Sequence, residues 1–468
     1  MNFEYFYSLI ILGLSGFIAL AIGIRKESKK IIALFTFIIL IISFILVVFK
    51  SSGYSIYFLD FTDFNTYWAL IFIVSSMVII LPSMHDIQNK HDVFYALILF
   101  MTLSMVIAAY TFNLIVLFVS FEGVSVITYI LAAYNRTKRN LEGSLKYFVI
   151  STIGTAFTIL GISYFYFATR TFNLLAVSKL YSNVALLLAL VFIIIGFGFE
   201  IAIFPMHQWA IDTYDGSPNS ISSFLSTGSK LVAYMVLLKI LYLGFIPDYN
   251  YIFYFFAVLS ILTMTYGNIS ALSQNNIKRT LAYSSVAQAG NLILVFAIIG
   301  YSYYNAALVS RTTLLRFGIA IAMFYSLAYI FMKAGPFIAM SLVKKDKIMI
   351  DDFIGLARKS KVTAFSLAIL LLALAGIPVT GGFLAKYFLF FTLIIGGLWW
   401  LAVISILNSV ISVFYYFRII LYSFWKPGDN DFDMSPEIKY SVIIMALITI
   451  ALGFAFTLYT YLIGIAII

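Results

Sequence analysis

From Tyr5 to Ile24 the chain runs without a single charged residue, and apolar runs of similar length recur along its 468 residues. A helix of about 20 apolar residues spans the roughly 30 Å hydrocarbon core of a bilayer. Composition points the same way: 63% of residues are hydrophobic, only 10% are charged, and mean hydropathy is +1.05. A soluble domain carries about a quarter charged residues, so this chain could not cover a water-facing surface. It reads as an all-α, polytopic membrane protein of about fourteen transmembrane helices.

Spans are expected at 4–24, 31–49, 66–85, 93–110, 112–134, 143–168, 184–210, 219–245, 250–273, 280–300, 315–342, 362–400, 401–424 and 439–466. The first lacks a basic leader and is too long for a typical signal segment, so it is expected to be a true helix. Two spans look broken: the seventh holds Pro205, and the twelfth holds Gly376-Ile-Pro-Val-Thr-Gly-Gly382. Breaks inside a membrane are tolerated where protein or a wet cavity covers the freed backbone groups, and they point to transport sites. The longest polar stretches, Lys344–Lys361 and Pro427–Glu437, are too short for a separate soluble domain.

The net charge of +10 does not indicate a nucleic-acid surface, because the basic residues sit in short connections. With the N-terminus outside, the inner connections hold Arg25, Lys26, Lys29, Lys30, Lys90, Arg136, Lys138, Arg139, Lys278, Arg279, Lys344, Lys345, Lys347, Arg358, Lys359, Lys361, Arg418, Lys426 and Lys439. The outer ones hold only Lys50, Arg170, Lys179, Arg311 and Arg316. That asymmetry is the positive-inside pattern, and it places both termini outside; the expected location is a prokaryotic plasma membrane. The absence of cysteine excludes disulfides, thiolate metal sites and iron–sulfur ligation by this chain. His85, His91 and His207 lack metal-ligand spacing. No cofactor or metal is expected here.

Of the 29 basic residues, Lys146, Lys230, Lys239, Lys333 and Lys386 remain inside spans, with Glu122 and Glu200 among the acids. A charge at mid-membrane costs about 2.5–3.5 kcal/mol on insertion scales and usually marks an ion pathway. Glu122, in Phe-Val-Ser-Phe-Glu-Gly, is too deep to reach the interface. Glu200 lies beside the Pro205 break, Lys230 follows the small polar run Ser-Thr-Gly-Ser, and Lys386 follows the second break. Burial penalises the charged form of a lysine, so such a group can bind and release a proton. Lys146 reads equally well as a side chain reaching the cytoplasmic interface, Lys333 shares that ambiguity at greater depth, and Lys239 reads as reaching outward. His207 is either a proton relay or a hydrogen-bonded filler of the break. The pairs 146/200 and 333/386 are similarly spaced and lie five spans apart, which suggests inverted repeats.

The stretch from Phe204-Pro-Met-His-Gln-Trp through Phe224-Leu-Ser-Thr-Gly-Ser-Lys230 resembles the antiporter-like membrane subunits of respiratory complex I, and subunit N most of all. Gly143-Ser-Leu-Lys-Tyr-Phe148, Asn268–Gly290, Tyr325–Phe337 and Leu374–Lys386 agree in order and spacing. The wider family includes subunits of multisubunit cation/proton antiporters and membrane-bound hydrogenases. The resemblance implies helices one to three over 1–92, a five-helix repeat over 93–246, its inverted copy over 247–425 and a final helix over 426–468. It implies a proton path through Glu122, Glu200, Lys230 and Lys386, with Lys146, Lys333 and His207 secondary. It also implies neighbouring antiporter-like subunits as partners and coupling to quinone reduction elsewhere in an NADH:quinone oxidoreductase-like translocase, with no redox chemistry on this chain. The other functions it leaves open are a cation/proton antiporter subunit and a structural anchor. The chain departs from the family at Glu200, where a lysine is usual, so that Lys146 or Lys230 would supply the counter-charge. It departs again at Gln288, where histidine is common, and at Lys333, where subunit N often has an amide.

Overall fold

The structure, a computed structural model, describes residues 3–25, 28–49, 53–177, 183–246, 249–302, 309–428 and 430–466. The topology signals Lys26, Lys50 and Lys179, and residue 247, where the second repeat is expected to begin, lie outside the described residues. Among those described, 12 helices are long and apolar enough to cross a membrane, and a pair bent by 74° makes up to 13. The shorter apolar helices Lys361–Ala375 and Gly381–Ile395 are the two halves of the broken span expected over 362–400. With these counted as one crossing, the all-helical reading and its span number hold.

The helices fall into two compact units, one of residues up to Ile201 together with Gly216–Asp248, the other of Ala202–Asp215 and Tyr249–Ile467. The first unit contains α1 (Tyr7–Arg25), α2 (Lys29–Val48), α3 (Asp63–Asp86), α4 (His91–Tyr110), α5 (Leu114–Ala132), α6 (Lys138–Thr169) and α7 (Val184–Ile201). A hairpin of Tyr54–Ile56 and Leu59–Phe61 precedes α3. Side-chain caps fix several starts. Asn113 accepts from the amides of Ile115 and Val116 at the head of α5, and Thr137 with Asn140 forms a capping box on α6. Helices α6 and α7 approach closely through small residues. A Cβ at Gly196 would collide with Thr158 and stand 2.9 Å from the Gly154 carbonyl, which is the small-residue packing that membrane helices use.

Helix α7 stops at Ile201; the next residue, Ala202, is left-handed with φ +60°. The chain resumes as α8 (Gln208–Gly216), so the second half of the break reaches past the expected limit at 210. Then α9 spans Asn219–Gly244 and is buried from Ser220 to Leu241.

In the second unit follow α10 (Tyr249–Leu272), α11 (Ile277–Ser302), α12 (Arg311–Ala339), α13 (Lys361–Ala375), α14 (Gly381–Ile395), α15 (Trp399–Phe424), α16 (Pro436–Leu452) and α17 (Phe456–Ile465). Helix α14 ends at Ile395 and α15 begins at Trp399, which moves the expected boundary at 400 slightly. The bend between α16 and α17 is a further departure from the single straight helix expected over 439–466. On α8, Asp212 and Asp215 are held from α11. Arg279 Nη1 lies 2.9 Å from Asp212 Oδ1 and 3.8 Å from Asp215 Oδ2, and Asn276 donates to Asp215 Oδ1 at 2.9 Å.

Candidate functional site

In the first unit the two acids stand on neighbouring helices with different surroundings. Glu122, midway along α5, is half-buried, and its Oε1 accepts from Thr155 Oγ1 of α6 at 2.8 Å. Glu200, in the last turn of α7, is only 2% exposed. Its Oε1 accepts from the Tyr147 hydroxyl at 2.6 Å and from Ser229 Oγ at 2.7 Å. Its Oε2 has no hydrogen-bond partner among the described residues. A fully buried carboxylate normally has its oxygens satisfied, so this one is held from one side only.

Lys230 is fully buried and follows directly on Ser229, the residue that donates to Glu200. The run Leu225–Ser229 is a π-helical turn. Such turns interrupt the usual hydrogen-bond ladder and recur at functional sites. When these groups are ionised, Lys230 attracts Glu200 and Glu122 repels it.

Two lysines of this unit do not sit as expected. Lys146 is exposed and pairs with Glu142 one turn away at 2.9 Å, so it is not the counter-charge of Glu200. Lys239 does not reach outward: it is fully buried, and its Nζ donates to the carbonyls of Ala109 at 2.5 Å and Thr111 at 3.1 Å. It caps the carbonyl end of α4, where a cation is favoured. A lysine near a span end can turn inward as readily as outward when a neighbouring helix ends at the same depth.

In the second unit Lys386 is 3% exposed. Its Nζ donates to the carbonyls of Leu374 and Ala375 at 3.0 and 3.1 Å and to Ser409 Oγ at 3.1 Å. The polar end that the bulky sequence around it does not suggest is the carbonyl terminus of α13, exposed by the break. Lys333 is fully buried, with Nζ donating to Leu281 O at 2.6 Å and Ser284 Oγ at 2.8 Å. The similar spacing of 146/200 and 333/386 therefore does not extend to their environments, since Lys146 is exposed. His207 is buried against Tyr266 and Phe204, with ring centroids 4.6 and 5.7 Å away.

The carbonyl of Leu374 has a second donor: Gln288 Nε2 lies 2.8 Å away, and Gln288 Oε1 accepts from Tyr325 at 2.7 Å. The amide at 288 thus ties α11 to the half-helix end that holds Lys386.

The sequence matches the family described as NADH:quinone oxidoreductase/Mrp antiporter, TM, over residues 111–412. The chain belongs to this family. Subunit N of the F(420)H(2) dehydrogenase of Methanosarcina mazei is 34% identical over 405 residues, 81% of this chain and 78% of that protein. Subunit N of the NADH-quinone oxidoreductase of Moorella thermoacetica is 31% identical over 455 residues, 94% of this chain and 87% of that protein. Among solved structures, a chain of respiratory complex I from Thermus thermophilus with bound aureothin superposes with a TM-score of 0.82 at 26% identity, covering 96% of this chain and 98% of that one. A chain of the Mrp complex from a Dietzia species shares the fold, with a TM-score of 0.85 at 18% identity, covering 100% of this chain and 97% of that one.

Within this antiporter-family chain, the sequence reading missed Tyr147, Ser229, Thr155 and the inward turn of Lys239. A signal existed for the first. Tyr147, Ser151 and Thr155 recur every fourth residue and so form one polar stripe along α6.

Proposed function

We propose that this chain is a proton-translocating membrane subunit of a complex I-type assembly, driven by quinone reduction in partner subunits. The observation that carries the reading is the pair Glu200 and Lys230, both fully buried and bridged in sequence by Ser229, whose hydroxyl donates to the acid. Burying two ionisable groups in a membrane is costly, and a purely structural anchor would have no use for them. Lys386 at the carbonyl end of α13 provides a second exchangeable proton site in the other unit. The names and coverage of the subunit N relatives support a place among other membrane subunits of such a complex.

The chain would act as part of a translocase and would carry no redox group itself. The charge asymmetry of its connections supports both termini outside, and the bacterial and archaeal subunit N relatives support a prokaryotic plasma membrane. The test is Lys230→Met in the intact assembly, reading protons translocated per electron in sealed vesicles. A ratio that falls while electron transfer persists, or falls with it, supports the role. A ratio and rate equal to wild type overturn it.

A further inference from the structure

A cavity of about 990 Å³ opens in the first unit beside the α5–α6 connection. Gln88, Lys90, Asn135 and Arg136 are among its lining residues, together with Tyr129, Ser144 and the exposed apolar side chains of Leu145 and Phe148. Tyr129 lies one turn in from the end of α5 at Ala132 and is 8% exposed. Ser144 Oγ donates to the Tyr129 carbonyl at 2.7 Å, and the Tyr129 hydroxyl donates to Ser151 Oγ at 2.6 Å. The Tyr129 ring stands edge-on to the ring of Tyr147, with centroids 4.6 Å apart. Tyr147 is fully buried, and its hydroxyl donates to Glu200 and lies 3.1 Å from Thr128 Oγ1. The order from the cavity inward is therefore a phenol at the wall, a second phenol behind it, and the buried carboxylate.

We propose that Tyr129 and Tyr147 form the proton inlet to Glu200, fed by water in this cavity. The inference rests on the translocation reading above and assigns that site its entrance. In the transfer, the Tyr147 O–H bond breaks as an O–H bond forms at Glu200 Oε1. The phenol oxygen then takes a proton from its other side, from water admitted past Tyr129. A hydronium in the cavity supplies the proton in the end, so bonds made and broken balance and Tyr147 returns to its starting state. Lys90 and Arg136 line the cavity, and Lys138 and Arg139 lie at the start of α6. By the charge asymmetry of the sequence, the inlet opens to the inner side.

Two measurements decide the matter. Tyr147→Phe keeps the ring that packs on Tyr129 and removes only the hydroxyl. In the intact assembly it is expected to slow proton translocation at least tenfold and to raise the solvent deuterium isotope effect on that rate, which a packing role would not move. The chain has no cysteine of its own, so Ser144→Cys introduces a single thiol on this subunit at the cavity wall. It is expected to react with a charged, membrane-impermeant thiol reagent applied from the inner side, and to be unreactive if lipid or another subunit fills the cavity. Wild-type translocation and isotope effect in Tyr147→Phe, or an unreactive Ser144→Cys, overturn the inlet. Should Tyr147→Phe fail to assemble, the thiol reaction alone decides. If Lys230→Met stops translocation while Tyr147→Phe does not, only the inlet falls. If Lys230→Met is silent, the functional reading falls first.

Discussion

Gly376 offers a quantitative test of how Lys386 is held. Its φ of +89° ends α13 in a left-handed turn. A non-glycine residue there costs about 1–2 kcal/mol. A second effect adds to this, because a Cβ at 376 would stand 2.8 Å from Lys386 Cδ and 3.5 Å from its Nζ. The lysine stem must therefore move away by several tenths of an ångström. Its three oxygen contacts, at 3.0–3.1 Å, lengthen with it. Hydrogen bonds from a charged donor contribute about 1.5–3 kcal/mol each, so weakening one of three shifts the ammonium's energy by roughly the 1.4 kcal/mol that makes a tenfold change in rate. Gly397 supplies the control. It has φ +83°, but a Cβ there meets only the Tyr301 hydroxyl at 3.7 Å. Gly376→Ala and Gly397→Ala should lower the thermal inactivation temperature of the assembly to a similar degree. Only Gly376→Ala should also slow proton translocation, by about tenfold, in vesicles assayed well below that temperature. Equal translocation in the two variants would refute the claim that the break positions the lysine.

Lys239→Met leaves the carbonyls of Ala109 and Thr111 without their cation and should destabilise the assembly by about 2 kcal/mol, read by thermal inactivation, with protons per electron unchanged. Gln288→Leu removes the amide donor to Leu374 and the acceptor of Tyr325, and should cost about 1–3 kcal/mol; Gln288→His keeps a ring nitrogen as donor and should recover most of that by the same measurement. Glu200→Lys replaces the acceptor of Tyr147 and Ser229 with a donor and sets a cation beside the fully buried Lys230. Translocation should fall below detection in vesicles, although lysine is the residue the family pattern expects there.

The helices and breaks were legible because their signals are chemical and local. Apolar length defines a span, and Pro205 and the Gly376-Ile-Pro378 run mark where two of them break. The bend of 74° between α16 and α17 was not, because it lies in Leu452-Gly-Phe-Ala-Phe456, which carries Gly453 but no proline or charge. The facing of each charged residue was the harder matter. A residue's position along an apolar run gives its depth but not its direction around the axis. A soluble helix reveals its direction through one polar face, whereas a membrane helix is apolar on most faces. Lys146 and Lys239 both lie near span ends, yet one faces outward to Glu142 and the other inward to the end of α4. Only partner helices decide between them. Where a helix does carry a polar stripe, as α6 does at Tyr147, Ser151 and Thr155, direction can be read, and that stripe leads to both acids.

The glutamate at 200 alters which groups balance which. The resemblance to the family implies a lysine where this chain carries Glu200. Here Glu122 and Glu200 are both acidic and repel each other when ionised. Lys146 cannot relieve that repulsion, since it is exposed and already paired with Glu142. The base that acts on Glu200 of α7 is therefore Lys230 of α9, which is buried. Ser229 lies between the two in sequence, and Tyr147 donates to the acid from α6. A lysine at 200 could not accept either hydroxyl proton, having no lone pair while charged. The two hydroxyls that bond Glu200 thus fit the carboxylate that this chain carries, and the departure at 200 comes with the donors a carboxylate needs.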